Sequence, residues 1–147
     1  MYSEEITKHC KLVDHRLENR FGQIVDALLD NFGASIPQSV VKESQVKATY
    51  NFFRHKKIDY DMLLATERER LLAQLLQEPP KIVLSIQDST EVVYTNSRSD
   101  SDLGCLQYDY IKGFYIHNHM IYSVNGMGLG VFDQTLWNYS AEELGTT

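Results

Sequence analysis

The sequence predicts an α+β protein, with a helical first half and a strand-rich second half. Three observations predict it. Apolar residues recur every three to four positions across residues 14–77, the period of amphipathic helices. From residue 81 onward they form short β-branched blocks or alternate with polar residues, the pattern of strands. Pro79-Pro80 separates the two styles, since proline lacks the amide and the backbone freedom that a helix needs. The expected domains are therefore 1–78, all-α, and 79–147, β-rich.

Each element has its own signal. From Asp14 to Phe32, Leu17, Phe21, Ile24, Leu28 and Phe32 form one apolar stripe, with Gly33 as the expected C-cap. GASIP then reads as a turn. A shorter helix is expected over Ser44–Arg54, with Val46, Tyr50 and Phe53 on one face. Asp59 is placed to cap a third helix that runs to about Gln77, with Leu64, Leu71, Leu72, Leu75 and Leu76 inward and Glu67, Arg68, Glu69 and Arg70 solvated. KIVLSIQDS reads as a strand that ends near Asp88, and NSRSDSDLG as a loop. FYIHNHMIYSV has strand period, with His117, His119 and Ile121 on one face. Asn125-Gly126 marks a hairpin into VFDQTLW.

Composition narrows the class. The chain of 147 residues is 43% hydrophobic, with 1 Trp, 9 Tyr and 6 Phe, enough for a packed core. Its apolar runs are too short to span a membrane. MYSEEITKHC is acidic and does not resemble a secretory signal. Cys10 and Cys105 read as free thiols of a cytoplasmic protein. The net charge of −6 argues against indiscriminate nucleic-acid binding. Its distribution says more. Residues 1–78 hold 11 Lys/Arg against 12 Asp/Glu, and residues 79–147 hold 3 against 8. Any phosphate contact belongs in the first half.

Four motifs occur in order. DHRLENRF (Asp14–Phe21) resembles the D-x-R-x-x-x-R-[LF] element that opens one group of DDE transposases, the cut-and-paste enzymes similar to the Tn-five transposase and its insertion-sequence relatives. ATYNFFRHKKID resembles their next element, with Ala48, Tyr50, Phe52, Phe53, Arg54, Ile58 and Asp59 in register. IQDST resembles their I-x-D-T-T strand end, and KGFYIHNHM their G-[FW]-x-x-H strand, with Gly113 and His117 matching. Order and spacing agree over residues 12–138.

The resemblance implies a fold and a function. It implies an N-terminal all-α DNA-binding module, followed by the first three strands of an RNase H-like α/β domain. The second aspartate and the glutamate of the DDE set would lie beyond Thr147, so the fragment is expected to be cleavage-incompetent. Asp88 would be the first acidic residue of the set and a Mg²⁺ ligand, supported by Thr90 and His117. The expected partner is double-stranded DNA at transposon inverted-repeat ends. Self-association and pairing with a full-length transposase are the expected protein contacts. The second reading is a transposase-derived regulatory protein. The expected location is the cytoplasm, at the bacterial nucleoid.

The residues themselves leave alternatives open. Asp88 suits a metal because carboxylate oxygens suit Mg²⁺, but it would equally cap a turn with Ser89 and Thr90. Arg16 and Arg20, four apart, share a helix face. They suit adjacent phosphates, or ion pairs with Asp14 and Glu18. Arg54, His55, Lys56 and Lys57 form the densest basic run, either a DNA-gripping segment or a solvated loop, and Lys42 and Lys47 add weakly. Tyr50, Phe52 and Phe53 are core residues or a base-stacking platform. His117 and His119 are spaced for a metal, although no third ligand is placed by sequence. Cys105 has no basic neighbour in sequence to activate it.

Overall fold

The structure is a computed structural model that describes residues 2–40, 42–94 and 103–145. It forms two compact units, Met1–Pro79 and Pro80–Thr147.

The first unit is helical, with α1 (Tyr2–Lys8), α2 (His15–Asp30), α3 (Ile36–Ser39), α4 (Glu43–Phe53) and α5 (Tyr60–Gln77). Two aspartates start the long helices. Asp14 accepts from the Arg16 amide, and Asp59 accepts from the Met62 amide at 2.8 Å, each satisfying an orphan donor of a first turn. Ile6, Cys10, Leu12, Phe21, Ile24 and Phe52 make the core, with Leu17, Ile58 and Met62 packed against it.

Several sequence expectations are corrected here. Helix α2 stops at Asp30, because Asn31 leaves helical geometry and Gly33 turns at φ +83. Phe32 thus falls off the stripe and is 93% exposed. GASIP is not only a turn: Ser35 and Gln38 form a capping box that starts α3. On α4 the buried residues are Thr49 and Phe52, while Tyr50 and Phe53 are exposed. The face is chosen by where α2 lies, since Phe52 stacks on Phe21. On α5 Leu71 is fully buried but Leu72 and Leu76 are exposed. Arg70, expected in solvent, is only 5% exposed. It is held by Glu67 and Gln74 at 2.8 Å, and Tyr2 of α1 lies under its guanidinium. The short α1 had no expectation attached to it. Its Ser3 and Ile6 are buried.

The second unit is a three-stranded antiparallel sheet, β1 (Val83–Val93), β2 (Gly113–Ser123) and β3 (Gly128–Trp137), in the order β1-β2-β3, with a short α6 (Ala141–Leu144). Gly126, at φ +81, makes the β2–β3 turn that Asn125-Gly126 predicts. Gly113 is required for a different reason. A Cβ there would collide with the Val92 carbonyl oxygen. Most of the predicted loop NSRSDSDLG lies outside the described residues.

Strand β1 corrects another expectation. It does not end near Asp88 but continues through Ser89 and Thr90 to Val93. Its polar centre stays extended because β2 pairs with it along its whole length, Val83 with Ser123 through Val93 with Gly113. The turn alternative for Asp88, Ser89 and Thr90 is excluded by the same pairing. Cys105 also gains a neighbour absent from its local sequence. It bridges to Lys112, whose Nζ lies 3.1 Å from its Sγ, and the thiol is 1% exposed. Both cysteines are free and buried.

Candidate nucleic-acid interface

The N-terminal turn of α2 sets the first two cations. Asp14 caps the helix, so Arg16 and Arg20 emerge one turn apart on the same face. Helix α4 supplies the opposite wall. The segment after it turns back through hydrogen bonds from the His55 amide to the Phe52 carbonyl, and from the Ile58 amide to the His55 carbonyl. Between these elements lies a cleft of about 590 Å³, lined by Val13, Asp14, Arg16, Leu17, Arg20, Ala48, Asn51, Phe52, His55 and Lys57.

The expected DNA-binding residues divide. Arg16, Arg20 and Lys57 line this one cleft, although Lys57 lies 37 positions after Arg20. Arg54 and Lys56 are not among its lining residues. Arg54 instead lies over the Tyr50 ring at 5.9 Å, and Lys56 is exposed. Lys42 lines a neighbouring cleft, with Arg20 shared between the two. Phe52 is 2% exposed and belongs to the core, whereas Tyr50 and Phe53 are partly accessible.

The cations are not electrostatically alike. Asp14 accepts from the Arg16 amide at 2.8 Å and from its guanidinium at 3.0 Å. Those side-chain and backbone hydrogen bonds from Arg16 hold the Asp14 carboxyl below its usual range, and Asp14 holds the Arg16 guanidinium above its own. A phosphate at Arg16 must therefore compete with Asp14. Arg20 makes no side-chain hydrogen bond or ion pair among the described residues. The predicted pair with Glu18 goes to His15 instead, at 3.1 Å. Asn51 was missed from sequence. Its signal was its place on α4 three residues after Ala48, which puts the two on one side of that helix.

The strand residues fall on two faces of the sheet. Asp88 pairs with Asn118, which pairs in turn with Gln134, so the three form a polar row across the strands. Gln134 donates to Asn118 Oδ1. Thr90 shares that face, opposite Ile116. His117 does not. It lies on the other face, opposite Ser89, where its Nδ1 is 2.8 Å from Ser89 Oγ and its Nε2 is 3.3 Å from Gln87 Oε1. His119 is beside it, 2.6 Å from Ser85 Oγ. Direct support of Asp88 by His117 is thus excluded by strand alternation. Among the described residues, no group of three or more His, Cys, Asp or Glu could hold a metal ion.

The helical unit gathers Arg16, Arg20 and Lys57 in one cleft, together with Asp14. Residues 1–58 match the family model described as transposase DNA-binding. That match supports a transposase N-terminal region, with DNA as the partner of this part of the chain. No curated protein matches the chain. No described helix is long and apolar enough to cross a membrane.

Proposed function

We propose that the helical unit binds duplex DNA at transposon ends, and that the chain is the N-terminal part of a cut-and-paste DDE transposase. One observation carries the reading: Arg16, Arg20 and Lys57, distant in sequence, line one cleft within the residues that match the transposase DNA-binding family. Arg54 and Lys56, on the rim segment, add phosphate contacts outside the cleft. The overall charge is unfavourable, so affinity depends on this local cluster.

The test is an anisotropy titration at several salt concentrations. Arg16→Ala with Arg20→Ala should weaken binding to every duplex and flatten the slope of log affinity against log salt by about two units. Asp88→Ala, on the other unit, should leave binding unchanged or slightly tighter without metal. A double arginine variant with the parent's affinity and slope would place these side chains on a solvated face.

The second unit is read as the first three strands of an RNase H-like domain. Its antiparallel order β1-β2-β3 and the place of Asp88 on β1 support this. Asp88 would serve as one Mg²⁺ ligand. The described residues do not fit a two-metal centre, because Asp88 stands beside Asn118 and Gln134 rather than another carboxylate. No cleavage step is assigned to the chain by itself. Pairing with a full-length transposase, as a regulator, is the second reading. The apolar residues Leu84 and Ile86, exposed on β1, support such contacts.

A further inference from the structure

His55 lines the same cleft as Arg16, Arg20 and Lys57, and its ring has one partner among the described residues. That partner decides its chemistry. The Lys57 backbone amide donates to His55 Nδ1 at 3.3 Å. A nitrogen that accepts a hydrogen bond carries no proton, so the neutral ring must hold its proton on Nε2. The backbone thereby fixes the tautomer and leaves Nε2–H as a donor with no acceptor among the described residues. The charged groups that line the cleft with this ring are Asp14, the cap of α2, Arg16 and Arg20 from α2, and Lys57 from its own segment; α4 contributes only uncharged Ala48, Asn51 and Phe52. Three cations against one carboxylate favour an anion there.

We infer that His55 is a further DNA-contacting residue, one that donates Nε2–H to a backbone phosphate oxygen as a neutral ring whose tautomer is set by the Lys57 amide. This rests on the reading of the cleft as a DNA site. It distinguishes His55 from its neighbours. The arginines and lysines bind phosphate by charge and release counterions, whereas a neutral donor adds a hydrogen bond without counterion release.

The experiment uses the full chain and a labelled duplex of mixed sequence, at pH 7.5. His55→Ala should weaken binding roughly tenfold, the scale of a hydrogen bond to a charged acceptor, at every salt concentration. The salt slope should stay that of the parent, while Arg16→Ala lowers it by about 0.9. His55→Gln, which keeps a terminal amide donor, should recover most of the loss. A long-range proton–nitrogen spectrum of the free protein should show the Nε2–H tautomer. If the parent does not bind the duplex at low salt, the DNA reading of the cleft falls, and this inference with it. If the parent binds and His55→Ala binds equally well, the inference alone falls. A slope lowered by about 0.9 in His55→Ala would also overturn it, since that reports a charged ring or a displaced Lys57. So would an Nδ1–H tautomer in the spectrum.

Discussion

Phe21 and Phe52 stack with their ring centroids 5.9 Å apart and their planes within 9° of parallel. The contact ties α2 to α4 and sits under the cleft that gathers the cations. The core and the cleft therefore share a residue: Phe52 belongs to the buried cluster and also lines the cleft.

Phe52→Ala should cost the helical unit about 3–5 kcal/mol, the usual range for an aromatic removed from a core. Phe52→Leu, which keeps most of the volume, should cost much less and keep DNA binding. Urea denaturation with helical signal as the readout measures both. An alanine variant as stable as the parent would show that the α2–α4 contact is not what holds the cleft.

Alkaline stability should depend on Tyr2. Its hydroxyl donates to Glu67 Oε2 at 2.9 Å. Burial first, and then the Glu67 carboxylate, push the phenol up to about 12. The folded value lies above the unfolded one, about 10, so the folded state keeps the proton longer. The stability from this site is complete below pH 10 or so and is lost as pH rises towards 12. Thermal midpoints of parent and Tyr2→Phe should therefore converge or cross over that window, with the parent falling more steeply. Parallel curves would show that Tyr2 ionises as freely folded as unfolded.

The chain alone should neither nick nor join DNA in Mg²⁺ or Mn²⁺. One carboxylate beside two amides cannot hold two cations for in-line displacement. A denaturing gel of end-labelled duplex is the measurement. Metal-dependent nicking that disappears in Asp88→Ala would refute the expectation.

Much of the helical unit was legible because its signals are local. Asp59 caps the helix it was expected to cap, since a cap depends only on the next few amides. Asn125-Gly126 makes its turn because the left-handed backbone at Gly126 suits that residue wherever it stands. The wrong helix faces had a common cause. Tyr50 and Phe53 have the right spacing for a buried stripe, but so do Thr49 and Phe52. Periodicity cannot choose between two adjacent stripes when both contain apolar residues. Arg70 failed similarly: a guanidinium reads as solvated until Glu67, Gln74 and Tyr2 are shown to surround it.

By itself the sequence determined the class of each half, the Asp59 cap, the β2–β3 hairpin and the concentration of basic residues in the first half. These follow from backbone preferences and side-chain chemistry that act within a few residues. Tertiary structure alone decided which cations share a cleft. Arg16, Arg20 and Lys57 meet there, while Arg54 turns to Tyr50. It also decided that Asp88 lies inside a strand and opposite Asn118, on the other face from His117. Those outcomes depend on how α2 packs on α4 and how β1 registers on β2. Both are set by contacts between residues far apart in the chain, which no local pattern encodes.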